Sequence, residues 1–158
     1  MDLKLNGKVA LVLASSQGLG RATAAALCRE GARVAITSRN QETLEKTKAE
    51  IGASLAVPMD LSKPGQAPRL IQTVEQTLGP IDILVTNAGG PPKGSFESIS
   101  SDAWLEGFNG LWISVVESIQ AVLPGMKSRQ SGRIILITST SAKEPIPNLT
   151  VSNGMRAG

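Results

Sequence analysis

Gly18 and Gly20 stand at the junction between an apolar run, Val9 to Leu13, and an alanine-rich run of helical character that begins near Leu19. Glycine lets backbone approach a ligand closely, and the free N–H groups of a helix's first turn favour negative charge. Ser15-Ser16-Gln17-Gly18-Leu19-Gly20 is therefore suited to holding a phosphate or diphosphate. Glycines also mark ordinary turns, so the motif takes its meaning from its surroundings. A second suggestive pair, Ser38-Arg39, follows the next apolar run, Val34 to Ile36. An acid there would hydrogen-bond ribose hydroxyls, whereas an arginine pairs with a ribose 2′-phosphate. Two absences narrow the chemistry: the chain has no histidine and no tyrosine. A Ser-His-Asp arrangement, a histidine metal site and a tyrosine proton donor are excluded within these residues.

Such residues need a scaffold, and the apolar pattern supplies one. Val9–Leu13, Val34–Ile36, Leu55–Val57, Ile81–Val85 and Ile134–Ile137 are short, rich in β-branched residues and nearly continuous in hydrophobicity. Strands covered on both faces have this character. Between them the pattern predicts helices over Leu19–Glu30, closed by Gly31, and over Gln41–Ile51, between an Asn40 cap and Gly52. A third is predicted over Gln66–Leu78, with Pro64 before it and Gly79 after it. Leu70, Ile71, Val74 and Leu78 form one apolar stripe on that third helix, suited to packing on a sheet. Ser101 to Arg129 is long enough for two helical pieces, and Pro124 is expected to kink or end the second.

The alternation predicts an α/β chain with a Rossmann-type doubly wound parallel sheet and helices on both faces, forming a single dinucleotide-binding domain over residues 1–158. Ligands of such sheets bind at the carboxyl ends of the strands. Five of those ends, Ser15 to Gly20, Ser38-Arg39, Asp60-Leu61, Asn87-Ala88-Gly89 and Thr138-Ser139, are all small, polar or charged. A single polar strand end is what any strand shows on meeting solvent, but five together favour a ligand cleft. With Ser38 where an acid would sit and Arg39 beside it, NADP(H) is the expected cofactor, NAD(H) remaining possible. A methyltransferase on a related sheet would want an acid at that position to hold the ribose.

Composition sets the outer limits. With 158 residues and 41% hydrophobic content, the chain suits one soluble domain with a real core. No apolar run approaches membrane-spanning length, and Met1 to Lys8 has neither an apolar nor an Arg/Ser-rich targeting character. A cytoplasmic protein without a membrane partner is expected. The 16 Lys+Arg and 13 Asp+Glu residues are dispersed and aromatics make up only 3%, so nothing marks a nucleic-acid partner. Cys28, the single cysteine, excludes an internal disulfide and a cysteine zinc site, and is expected to serve packing.

Taken in order, Gly7-Lys8-Val9-Ala10-Leu11-Val12 leading into Gly18-Leu19-Gly20, then Asp60-Leu61, Gly79-Pro80-Ile81-Asp82 through Asn87-Ala88-Gly89, and Gly132-Arg133-Ile134-Ile135 leading into Ser139, the chain resembles the short-chain dehydrogenase/reductases along essentially its whole length. The resemblance implies that Asp60 and Leu61 lie near the adenine ring and that Asn87, Ala88 and Gly89 border the cofactor's ribose. It makes Ser139 the catalytic serine, whose hydroxyl hydrogen-bonds a substrate carbonyl or alcohol.

Departures from the family pattern are concentrated at the catalytic positions. Leu13 and Ala14 stand where the glycine motif begins Thr-Gly, which crowds that turn slightly. Ser152 stands where the family has its catalytic tyrosine, Arg156 where it has the lysine that lowers the tyrosine's pKa, and Leu111 where it has an asparagine. Arg156 stays protonated and is no general base, but it would serve as an oxyanion stabiliser, as a grip for a substrate carboxylate or phosphate, as a ribose contact, or as a solvated charge. The implied function is NADP(H)-dependent hydride transfer to or from a small carbonyl or alcohol substrate, in the manner of a 3-oxoacyl-carrier-protein reductase. The altered positions leave a non-catalytic NADP(H)-binding sensor or scaffold as the alternative. Family members continue beyond the helix that would carry Ser152 and Arg156, so this chain is expected to be the N-terminal part of a longer protein that is a homo-oligomer when complete.

Overall fold

The structure is a computed structural model that describes residues 2–157. Five parallel strands, β1 (Val9–Val12), β2 (Arg33–Ser38), β3 (Leu55–Pro58), β4 (Ile83–Thr86) and β5 (Arg133–Leu136), form one sheet in the order β3-β2-β1-β4-β5. Between them run α1 (Gly18–Arg29), α2 (Gln41–Ile51), α3 (Gln66–Leu78), α4 (Ser101–Phe108) and α5 (Ser114–Ser128), and α6 (Thr150–Ala157) follows β5. The chain crosses from one side of β1 to the other after β3, so strand order reverses between β1 and β4. That reversal opens a crevice at the carboxyl ends.

Alternation along β1 explains why the strands read as unbroken apolar runs. Val9, Leu11 and Leu13 face one core, with Leu70, Ile71, Val74 and Leu78 of α3 and Val122 and Met126 of α5. Ala10 and Val12 face the other, with Ala24 of α1 and Leu44 of α2. A strand roofed on both faces has no polar side to display. The stripe expected on α3 is the face it buries. Asn40 caps α2 by accepting from the Thr43 N–H at 2.8 Å, and Gly52 closes it at φ +71°. Cys28 packs half-buried against the second core, and that burial raises its thiol pKa against the opposing pull of Arg29, keeping it protonated and unreactive.

Of the two outcomes expected of Pro124, ending the helix is excluded: α5 runs on through it to Ser128. The last turn is held from outside, by Met126 in the core and by Arg129, whose guanidinium donates to the Ile81 carbonyl at 2.9 Å, and this packing offsets the missing N–H of proline. The two helical pieces expected between Ser101 and Arg129 are α4 and α5, joined by a wide π-type turn over Asn109–Ile113. Strand β5 lies at the sheet edge, with Ile135 49% and Leu136 54% exposed, so the covering on both faces that the apolar run Ile134 to Ile137 suggests is not supplied among the described residues.

Candidate active site

Side-chain hydrogen bonds that cross between strands pin the glycine turn between β1 and α1. The buried Ser15 donates its hydroxyl to the Val12 carbonyl at 2.7 Å and its N–H to the Thr37 carbonyl at 2.9 Å, while its oxygen accepts the Thr37 N–H at 3.1 Å. Thr47 on α2 donates to the Ser16 carbonyl at 2.9 Å, and Asn87 at the end of β4 donates to the Ala14 carbonyl at 3.0 Å. A Cβ on Gly20 would lie 2.5 Å from the Ala14 oxygen and 2.7 Å from the Asn87 amide nitrogen, so only glycine fits there. Ala14 itself is held at φ +46°, in the left-handed region. The change from the family pattern is therefore more than crowding: it places backbone strain in this turn.

Unlike α2 and α4, which Asn40 and Ser100 cap, α1 has no side-chain cap at Gln17. Its first N–H groups open into a cleft of about 620 Å³ at the carboxyl ends of the strands. Ser16, Gln17, Gly18 and Leu19 line that cleft, followed by Ser38 at the end of β2 and Arg39 just beyond it, Asp60 and Leu61 after β3, and Asn87, Ala88 and Gly89 after β4. Ser139, Ser152 and Arg156 line its far side. Ser15 is the correction to this set. Both its donors are committed within the protein and it does not reach the cleft, so it acts as a bolt for the turn; Gly20, also buried, acts as its spacer.

At the β2–β3 corner Arg39 is exposed and forms no ion pair among the described residues. Burial alone would raise the Asp60 carboxyl, but the Ser62 hydroxyl at 2.7 Å, the Ser62 N–H at 3.1 Å, and the charges of Arg39 and Lys63 hold it below the usual carboxylate range. Asp60 is thus ionised at neutral pH. Ser62 escapes the apolar pattern and the strand-end signals, although Asp-x-Ser after a strand marks a local side-chain-to-backbone turn.

The far side of the cleft depends on how α6 lies on α4. Gly107 of α4 meets the buried Val151, and Gly154 of α6 meets the Trp104 ring, so at each contact a side chain of one helix lies over a glycine of the other. Asn153 ties the entry to α6 through both its amide atoms to Ile146, and Trp112 donates its indole N–H to the Met155 carbonyl at 2.6 Å. These contacts seat α6 so that Ser152 and Arg156 line the same cleft as Ser139. The link between the serines is Ser141, which no motif in the sequence marks. Its N–H and hydroxyl both donate to the Ser139 oxygen, at 3.2 and 3.0 Å, and its own oxygen is 3.5 Å from that of Ser152. Leu111 lines the cleft where the family pattern has an amide. The Arg156 guanidinium is partly buried, which lowers its pKa, and its Nε is the buried side-chain nitrogen without a partner among the described residues.

A sequence model of the short chain dehydrogenase family matches residues 8–152. The chain belongs to this family. A ketoacyl reductase of a Nostoc species, HetN, is 35% identical to this short-chain dehydrogenase over 98% of the chain and 55% of the relative. A short-chain oxidoreductase from Pseudomonas aeruginosa, solved with NADPH and described as containing an atypical catalytic center, superimposes with a TM-score of 0.86 at 32% identity, covering 96% of this chain and 61% of the other. A 3-oxoacyl (acyl-carrier-protein) reductase from Agrobacterium tumefaciens with NADP bound gives 0.90 at 29% identity, over 97% and 60%. The chain thus spans little more than half the length of the short-chain dehydrogenases it matches.

Proposed function

We propose that this protein is an NADP(H)-dependent oxidoreductase acting on a carbonyl or alcohol. The observation that carries the reading is Arg39, exposed and without an ion pair among the described residues, at the strand end where Ser38 replaces a ribose-binding acid, in one cleft with an uncapped helix N-terminus. The donors fit a dinucleotide: the α1 N–H groups for its diphosphate and Arg39 for a 2′-phosphate. NADPH and NADP in the Pseudomonas and Agrobacterium relatives support the same choice. Asp60 and Leu61 would border the adenine, and Asn87 to Gly89 the ribose near the reacting end.

When bound, the nicotinamide supplies or accepts the hydride. What this chain adds is proton handling and charge. The Ser139 oxygen accepts twice from Ser141, so its own hydrogen is free to point into the cleft and donate to a substrate oxygen. A serine hydroxyl is a far weaker acid than a tyrosine, and the positive charge of Arg156, one helical turn from Ser152, gives this side of the cleft a field that favours anionic groups. A substrate resembling a 3-oxoacyl thioester is consistent with the reductase relatives. The lack of tyrosine and lysine favours one competing reading, a nucleotide-binding sensor without turnover.

Titration of NADPH fluorescence against NADH, followed by a screen of carbonyl substrates, tests both. Saturable binding with NADPH preferred and oxidation of NADPH on adding a carbonyl supports the enzyme. Binding without turnover supports the sensor, and no binding by folded protein removes both.

A further inference from the structure

We propose that Arg156 receives the carboxylate of a small oxo acid, so that the substrate class of this cleft is a 2- or 3-oxo acid and its hydroxy acid partner. The inference rests on the hydride-transfer reading above and, in place of a thioester, names a substrate with a free carboxylate. Arg156 Nε is buried without a hydrogen-bond partner, and the side chain forms no ion pair among the described residues although the Glu106 carboxylate also lines the cleft. A guanidinium partly withdrawn from water with a donor unused is costly unless an acceptor completes it, and the planar fork matches a carboxylate with two parallel hydrogen bonds.

The cofactor's own anions are matched elsewhere. Its diphosphate falls to the α1 N-terminus and its 2′-phosphate to Arg39, both on the β1–β2 side of the strand reversal, while Arg156 follows β5 on the opposite side. Spacing then limits the ligand. Ser152 and Arg156 lie one turn apart on the same face of α6, about 6 Å along the axis. Ser152 joins Ser139 through Ser141, which defines where a carbonyl oxygen would be held. In a 2-oxo acid no carbon, and in a 3-oxo acid one carbon, lies between the carbonyl and the carboxylate, and with a hydrogen bond at each end either spans a separation of that order. In the reducing direction the carbonyl carbon accepts hydride from the reduced nicotinamide and the C=O π pair moves to oxygen. That oxygen takes a proton through the serine hydroxyls from water, giving the hydroxy acid and the oxidised nicotinamide.

The test is calorimetric titration of the chain with NADP⁺, and of the NADP⁺-loaded chain with 2-oxobutanoate, with 3-oxobutanoate and with their methyl esters, which keep the carbonyl and lose the charge. Oxidised cofactor with an oxo acid cannot react, so binding alone is read. The expected result is at least tenfold tighter binding of an acid than of its ester, a preference abolished by Arg156→Gln and partly restored by Arg156→Lys. Circular dichroism of each variant checks folding, and the lysine variant keeps the comparison valid if the glutamine variant unfolds. Equal affinity for acid and ester, or an Arg156→Gln variant that retains the preference, overturns the proposal while the cofactor titration leaves the hydride-transfer reading standing. An Arg156→Gln variant that loses NADP⁺ and oxo acid by the same factor assigns the guanidinium to the cofactor and also overturns it. Failure of NADP⁺ to bind the folded wild-type chain overturns both readings together.

Discussion

The two ends of the cleft are built on different foundations. At the β1–β2–β3 end, the strands beneath the glycine turn are buried, Leu11, Val12 and Ile36 having no exposed surface, and cross-strand hydrogen bonds through Ser15, Thr37, Thr47 and Asn87 hold the loop. At the β5–α6 end, the strand is half-exposed, and the reacting residues depend on a helix seated on α4 by two glycine contacts. The well-supported end follows the family pattern apart from Leu13 and Ala14, whereas the lightly supported end departs from it at the positions of the tyrosine, lysine and asparagine. Binding geometry rests on the core that also stabilises the fold, so it is hard to change without unfolding. A hydroxyl or a guanidinium on the rim can be exchanged at little structural cost, and the chemistry changes with it.

That contrast can be broken most directly by stability. Leu84→Ala, which empties the centre of the sheet, is expected to cost about 3 kcal/mol, and Ile135→Ala on the half-exposed β5 less than about 1 kcal/mol, measured by urea unfolding. Equal losses would mean that the two ends share one core. Next in size is the cofactor end alone. Arg39→Ala removes a charge-assisted pair worth about 1.5 kcal/mol or more, so NADPH affinity should fall roughly tenfold while NADH affinity holds, read by fluorescence titration.

A smaller effect of opposite sign comes from the turn. Ala14→Gly removes the left-handed strain at φ +46° but loosens the unfolded chain, for a net gain of about 0.5–1 kcal/mol in thermal or urea unfolding. The smallest is Asp60→Asn. Because hydrogen bonds and positive charge depress the folded Asp60 pKa, its contribution is present above the ordinary carboxylate value and is lost as pH falls through the folded one. The wild type should therefore be slightly more stable than the variant at pH 7, with the difference closing in acid.

Periodicity and end signals alone determined the alternating βαβ order, strand positions to within about two residues, the bounds of α2 and α3, and the cluster of polar strand ends that becomes the cleft. They could do so because a parallel sheet covered on both faces demands unbroken apolar runs, and caps such as Asn40 and Gly52 act within a single turn of their helix. Tertiary structure alone decided what depends on contacts between distant segments. Ser141 joins two serines only because α6 lies on α4, Ser15 turns inward only because Thr37 of the neighbouring strand meets it, and Pro124 stays inside α5 because Met126 and Arg129 are held from outside. The unpartnered nitrogen of Arg156 belongs to the same group, since a missing partner is a property of the space around a side chain and leaves no trace in the order of residues.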